Sequence, residues 1–291
     1  KSIKGFAEIS ETSNLILFKS SYIFGFISAL FSGVFACKMM LKIVKESKLI
    51  YFSAYCLLVG SIGIYFGSNN SDDTFYIIPI KEISELREIS KNSNPPILDS
   101  LDSHKKLVDL KKLDDEFQLD IRYASSNNFM RSKFYKNERA FFNMSAADRL
   151  IEAKNELKEL GYGIIIYDAY RPWFVTKMFW EGTPENLKHF VANPENGSSH
   201  NKGCAIDIGL YDIETGESIV MISGYDEFTE RAYPNYMGGS KKQRDIRDML
   251  IQVMERNDFT VYEYEWWHFN YNQCDSGIMN YSFEELDSIS S

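Results

Sequence analysis

The chain has 291 residues, of which 44% are hydrophobic and 25% are charged, and its formal net charge is -9. A chain of this length can hold one large domain or two small ones, with a sizeable core. The acidic balance argues against nucleic acid as the main partner, because binding to phosphates requires clustered Lys and Arg. The four cysteines lack zinc-finger spacing and are too few for a disulfide scaffold.

The first 67 residues are apolar and predict a membrane-anchor region. Segments 22–41 and 49–67 are both long enough to span a membrane, which takes about 20 mostly apolar residues. Their Gly, Ser and Ala content is typical of membrane helices. The lysines between the segments predict a cytoplasmic loop, which places the C-terminal region in the periplasm or on the outer face. A buried soluble hairpin and a cytoplasmic catalytic domain are the alternatives.

Residues 68–101 are predicted to form a linker that leads to a soluble domain at 102–291. The segment is polar and contains one short candidate helix. The pair Pro95 and Pro96 ends any helix there, because proline has no backbone N–H to donate. The chain is therefore expected to divide into an anchor region, a linker and one soluble domain.

The first elements of the soluble domain are a helix, a strand and a second helix. The first helix is predicted to begin after an N-cap at Ser145 and to end at Gly161. The segment 162–172, "YGIIIYDAYRP", predicts a short β-branched strand that delivers Asp168 and Arg171 at its end. Pro172 is predicted to open the second helix, which runs through Trp180.

Three further elements are predicted towards the C-terminus. Segment 205–212, "AIDIGLYD", predicts a strand, Ser240 caps an amphipathic helix, and the aromatic-rich segment 259–271 predicts a final strand. Strands and helices do not alternate regularly, as they do in a doubly wound sheet. The predicted class is therefore α+β, with a mixed or antiparallel sheet and flanking helices.

Two histidines lie in settings that suggest a metal site, His200 in "SSHNKGCAIDIGL" and His268 in "EWWHF". Together with Asp207 they offer two imidazoles and a carboxylate, a ligand set typical of catalytic zinc, which keeps a fourth position for water. Glu265 is a nearby carboxylate that could accept a proton from that water. Residues three apart on a regular strand face opposite sides, so Glu265 and His268 can share a site only where the strand twists, bulges or ends. Each residue alone also has an ordinary interpretation as a packed or surface side chain.

Four segments together resemble a known family. "SSHNKGCAIDIGL" is similar to the SxHxxGxAxD signature of the zinc D-alanyl-D-alanine metallopeptidases, and "YEWWHF" is similar to their ExxH signature. "YDAYRP" and "LDIRYASSNNF" resemble segments of the VanX-type D-alanyl-D-alanine dipeptidases. The resemblance runs from about Leu107 to Asn272, and it implies the fold that this family shares with hedgehog-like domains.

The resemblance implies one Zn²⁺ per chain and gives family roles to eight residues. The implied metal ligands are His200, Asp207 and His268. The implied catalytic residues are the general base Glu265 and the arginine that stabilises the developing oxyanion, Arg171. The implied substrate-binding residues are Tyr123, Ser198 and Asp226.

The implied function is zinc-dependent hydrolysis of D-alanyl-D-alanine or a related D,D-dipeptide in cell-wall peptide metabolism. Asp226 is expected to pair with the free ammonium of the dipeptide. Arg171 also has a structural interpretation, as the ion-pair partner of Asp168. The alternatives for the chain are a D,D-carboxypeptidase or endopeptidase acting on peptidoglycan stem peptides, and a non-catalytic peptide-binding module. A lipid bilayer is a further expected partner, through the N-terminal region.

The chain departs from the family pattern at three points. The family's phenylalanine before the substrate-binding aspartate is replaced in "MISGYD", and the segment between Trp180 and Ser198 is short. Cys204 stands where a small Ser or Ala is usual. It is interpreted as a small packed residue, with an extracytoplasmic disulfide to Cys274 as the alternative.

Overall fold

The computed structural model describes residues 30, 38, 53, 55–61, 75–96 and 103–289. The described residues from Phe75 onwards belong to one compact unit, 73–291. This unit contains every residue that the sequence assigns to a site.

The prediction of two transmembrane helices is contradicted. None of the helices in the described ranges combines the length and the apolar character that crossing a membrane requires. Most of segments 22–41 and 49–67 lies outside the described residues. Apolar composition suggested the spans, but a span also needs an unbroken apolar helix of about 20 residues. The α+β part of the predicted class, with its mixed sheet, agrees with the structure.

A five-stranded sheet carries the candidate site. The strands of the unit are β1 (Leu107–Asp109), β2 (Gln118–Leu119), β3 (Phe141–Asn143), β4 (Tyr162–Asp168), β5 (Ala205–Asp212), β6 (Phe259–Tyr262) and β7 (Glu265–Tyr271). The large sheet has the order β2–β4–β5–β7–β6, and β1 pairs with β3 in a separate two-stranded sheet. Only the β2–β4 pair is parallel among these described strand pairs. Strand β5 has the bounds that the sequence predicts, and β4 ends at Asp168, three residues before Arg171.

The helices of the unit are α1 (Ile83–Lys91), α2 (Leu110–Leu113), α3 (Met144–Glu159), α4 (Trp173–Gly182), α5 (Lys241–Arg256) and α6 (Phe283–Ile289). Helix α3 packs against β4 and α5 against β6, and the two helices contact each other. Leu150 and Leu250 are fully buried on their inner faces. Because both helices turn an apolar stripe towards the sheet, burial of that stripe is a large part of what holds them there.

Two element boundaries differ from the sequence prediction. The N-cap of α3 is Asn143, whose side chain accepts from the backbone N–H groups of Ser145 and Ala146; Ser145 therefore lies inside the helix. Segment 259–271 forms two antiparallel strands instead of one, because Tyr262 pairs with Glu265 and closes a hairpin. The cap at Ser240 is confirmed, as its side chain accepts from the backbone of Gln243 in a capping box.

Part of the segment predicted as a linker packs against the domain. We name Phe75–Lys91 the N-terminal arm. Its helix α1 packs on α4, and Leu86 is fully buried there. The backbone N–H of Ile80 donates to the carbonyl of Gly182 over 2.9 Å. The polar composition of 68–101 conceals this packing, because only one face of α1 is apolar.

Cys204 forms a disulfide with Cys274. The bond joins two residues 70 positions apart, and it ties the start of β5 to the segment that follows β7. Cys204 is buried, so it is also the small packed residue that the sequence suggested.

Candidate active site

Three side chains of the candidate site lie side by side on three neighbouring strands of the large sheet. Asp207 on β5 lies opposite Asp168 on β4 and opposite His268 on β7. His200 comes from the short 3-10 turn Ser199–Lys202, just before β5. Gly203 ends that turn with a φ of 66°, a left-handed conformation that glycine adopts without strain. The turn brings His200 back to the start of the strand that carries Asp207.

The three ligand atoms converge closely enough to hold one metal ion. Nε2 of His200 lies 3.1 Å from Nδ1 of His268, and these nitrogens lie 3.3 and 3.0 Å from Oδ1 of Asp207. A tetrahedral zinc with bonds of about 2.0–2.1 Å separates its ligand atoms by roughly 3.3–3.4 Å. Oδ1 of Asp207 is buried and makes no hydrogen bond of normal geometry with the described residues. The residues therefore fit a zinc ion, which would satisfy this oxygen.

Each imidazole is oriented by a hydrogen bond on its other nitrogen. Nδ1 of His200 donates to the carbonyl of Ala169 over 2.6 Å. Nε2 of His268 donates to Oδ1 of Asn270 over 3.2 Å. These bonds fix the tautomers and leave the inward-facing nitrogens with lone pairs for a metal. Asn270 was not identified from the sequence, where an asparagine in an aromatic strand gives no sign of this contact.

The second oxygen of Asp207 begins a series of hydrogen bonds. The Tyr225 hydroxyl donates to Oδ2 of Asp207 over 2.9 Å and lies 3.2 Å from the Tyr123 hydroxyl. Tyr123 contacts Oδ1 of Asp226 over 2.9 Å, and Oδ2 of Asp226 is buried with no hydrogen-bond partner among the described residues. Burial raises the pKa of the Asp226 carboxyl well above its usual value, although the Tyr123 hydroxyl acts in the opposite direction. Tyr225 is a second residue that sequence reasoning did not identify.

Glu265 lies beside the metal-binding residues although it precedes His268 by three positions. Its Oε2 is 3.6 Å from Nδ1 of His268. The pairing of β6 with β7 shifts register between Val261 and Tyr262, which is the irregularity that a shared site requires. Burial raises the pKa of Glu265 to about 7, against the opposing effect of His268. A carboxylate with a pKa in this range suits a general base.

Arg171 follows β4 and faces the same cavity. Its Nε donates to Oδ2 of Asp168 over 2.8 Å, and Asp168 also accepts from the hydroxyl of Tyr135 over 2.9 Å. The guanidinium lies 5.2 Å from the ring centre of Tyr123. The ion pair with Asp168 therefore orients Arg171, so its structural and functional interpretations are compatible.

All eight residues that the sequence assigns to the site line one cavity of about 200 Å³. Ser198 has a structural role there, since its side chain accepts from the backbone N–H of His200 over 3.2 Å. The cavity also has an apolar side. Three rings form it, and we name them the aromatic wall: Phe129, Phe190 and Phe228. The sequence did not identify this wall, because its three rings come from distant segments and meet only in the folded domain.

The comparisons with known proteins agree with this geometry. The family model for peptidase M15, described as D-ala-D-ala dipeptidase, matches residues 103–288. The D-alanyl-D-alanine dipeptidase of Escherichia coli is 30% identical over 171 residues, which cover 59% of this chain and 87% of the relative. The enzyme of the same name from Enterococcus faecium is 32% identical over 171 residues, covering 52% and 83%. An undecaprenyl-diphosphatase of Bacteroides fragilis is 48% identical over 64 residues, or 22% of each chain.

The family model covers more than half of the chain, and its match contains the whole His–Asp–His cluster. Both the donor set and the match to the dipeptidases point to the same chemistry. The chain therefore belongs to the D-ala-D-ala dipeptidase family of M15 peptidases and is a zinc metallopeptidase.

Proposed function

We propose that the protein hydrolyses D-alanyl-D-alanine, or a closely related D,D-dipeptide, to free amino acids. The observation that carries the proposal is the convergence of His200, Asp207 and His268 beside the buried carboxyl of Glu265. The chemistry belongs to peptidoglycan-related peptide hydrolysis.

The shape and charge of the cavity support a dipeptide as the substrate. Its volume of about 200 Å³ lies below the roughly 300–1,000 Å³ of pockets that hold drug-sized ligands. Asp226 lines this cavity, and its Oδ2 has no hydrogen-bond partner among the described residues. A substrate ammonium would satisfy that oxygen with a charge-assisted hydrogen bond. A free dipeptide presents such an ammonium next to its scissile bond, whereas an acylated stem peptide does not.

The roles of the residues follow from their positions. His200, Asp207 and His268 would hold the zinc ion, which would polarise the scissile carbonyl and make a water acidic enough to lose a proton near neutral pH. Glu265 accepts this proton and passes it to the leaving amine. Arg171, held by Asp168, donates to the carbonyl oxygen on which negative charge develops. Asp226 fixes the amino end of the substrate, so that the reacting groups are aligned before the bond breaks.

A direct comparison of substrates tests the proposal against the stem-peptide alternative. The purified, zinc-loaded protein is given D-alanyl-D-alanine or an N-acylated tripeptide that ends in the same two residues. We expect cleavage of the dipeptide and little of the tripeptide. Asp226→Asn should remove most of this preference, because the ammonium loses its ionic partner. Cleavage of the tripeptide alone would refute the dipeptidase proposal in favour of the carboxypeptidase.

We further propose that the domain works outside the cytoplasm. The disulfide between Cys204 and Cys274 supports this location, since disulfides persist in oxidising compartments and are rare in the cytosol. Rapid alkylation of intact cells, followed by non-reducing electrophoresis, is the test. Two alkylated, unpaired cysteines at these positions would refute the proposed location.

A further inference from the structure

The N-terminal arm contacts the aromatic wall of the cavity. The ring centre of Phe75 lies 5.3 Å from that of Phe228. The backbone N–H of Ile77 donates to the carbonyl of Phe129 over 2.7 Å. The arm therefore touches two of the three members of the wall, one through its side chain and the other through its backbone.

The same two rings are packed into the rest of the site. Phe228 stacks on Phe190 with ring centres 5.0 Å apart and planes 10° from parallel, and it lies 4.9 Å from Phe129. Phe129 in turn lies 6.4 Å from the ring of Tyr123, which contacts Asp226. A displacement of Phe228 would therefore alter the shape of the cavity next to the substrate-binding carboxyl.

The arm is held firmly enough to act as a support. Nζ of Lys81 lies 2.5 Å from Oε2 of Glu181 on α4. Leu86 packs so closely on Gly182 that a Cβ at this glycine would lie 2.9 Å from its Cδ1. Helix α4 also carries Phe179, which lines the cavity. The arm is thus fixed to an element that forms part of the site.

We propose that the N-terminal arm is a specificity-determining part of the substrate pocket, and that Phe75 is the residue through which it sets the position of Phe228. The arm lies outside residues 103–288, which match the family model, so it is an addition to the family domain. The segment 183–197, which follows α4, carries Phe190 of the wall, and the arm supports the wall beside it. The proposal rests on the dipeptidase function proposed above.

The physical effect of Phe75 is to limit the space behind the wall. The ring of Phe228 is buried, with Phe75, Phe129 and Phe190 packed around it. Without the Phe75 ring, Phe228 can move outwards and the cavity widens. A small D-alanyl side chain then loses contact with the wall, whereas a bulkier side chain gains room.

The test compares Phe75→Ala with the wild-type chain on D-alanyl-D-alanine and D-phenylalanyl-D-alanine, whose bulky side chain belongs to the residue with the ammonium that Asp226 binds. We expect the KM for D-alanyl-D-alanine to rise roughly three- to tenfold, the effect of losing one aromatic pair, with kcat changed less than about twofold. The preference for the smaller substrate should fall by a similar factor. Phe75→Leu should restore part of the wild-type behaviour. Ile78→Ala, at an arm position that is 81% exposed, serves as the matched control and should behave as wild type.

Zinc content and melting temperature separate this role from a purely structural one. Unchanged KM and preference in Phe75→Ala, with zinc fully retained, would overturn the proposal. An equal loss of activity on both substrates together with loss of zinc would also overturn it. A wild-type chain that cleaves neither dipeptide would instead refute the dipeptidase function. In that case the variants are compared with wild type on the acylated tripeptide. A KM for the tripeptide that is unchanged in Phe75→Ala would overturn the role of Phe75.

Discussion

Removal of the Cys204–Cys274 disulfide should lower the free energy of unfolding substantially. The bond closes a loop of 70 residues, which restricts the unfolded chain more than the folded one. The chain-entropy relation gives about 15 cal/mol/K for a loop of this length, or about 4 kcal/mol at 25 °C. This value is an upper figure, because unfolded chains retain some structure. We therefore expect the double variant Cys204→Ala, Cys274→Ala to lose about 2–4 kcal/mol.

Urea unfolding of the zinc-loaded protein, followed by tryptophan fluorescence, measures this loss. The midpoint should fall, and the slope of the transition should rise, because the unfolded chain without the bond is less compact and exposes more surface. Cys56→Ala is the control, because Cys56 is exposed and forms no disulfide, and its midpoint should equal that of wild type. A double variant with the wild-type midpoint would refute the reasoning, and so would a wild-type protein whose midpoint is unaffected by full reduction of the disulfide.

Three further predictions concern catalysis, metal binding and the arm. Glu265→Gln should retain zinc and lose roughly 10²–10⁴-fold in kcat; near-normal turnover would reject its role as general base. Tyr225→Phe removes the hydroxyl that donates to the metal ligand Asp207. Zinc affinity, measured by competition with a chelator, should weaken roughly 10- to 100-fold, and an affinity equal to that of wild type would contradict this role. Lys177 and Lys81 lower the pKa of Glu181 to about 2, so the stabilisation from these ion pairs is complete above the ordinary pKa and is lost as pH falls from about 4.5 towards 2. The hydrogen-exchange protection of α1, taken relative to the intrinsic exchange rate at each pH, should therefore fall over this acidic range in wild type and not in Glu181→Gln. Identical protection profiles would contradict the prediction.

The residues of the metal cluster were predictable because their signals are local. His200 and Asp207 lie in one segment with a glycine between them, and Glu265 and His268 lie in another. Each segment can be identified from residue types at fixed spacing. The structure adds the register shift between β6 and β7, which lets Glu265 and His268 share a cavity. From residue spacing alone, such an irregularity was a requirement and not an observation.

The supporting contacts were not predictable, because they join segments that are far apart in the chain. Tyr225 reaches Asp207 across 18 positions, and the Phe75–Phe228 contact joins the arm to the segment between β5 and α5. Composition alone also predicted the structure of residues 1–101 poorly. It suggested transmembrane helices that the described residues do not contain, and it marked as linker a segment whose helix buries Leu86.

The alignment of Asp168, Asp207 and His268 across three strands makes the metal site a reporter of strand pairing. Side chains alternate between the faces of a strand, so a slip of β7 by one residue against β5 would turn His268 away from Asp207. Zinc can bind only the correctly paired sheet, and its binding energy therefore favours that register over every neighbouring one. The ion that serves hydrolysis would thus also select the correctly folded chain.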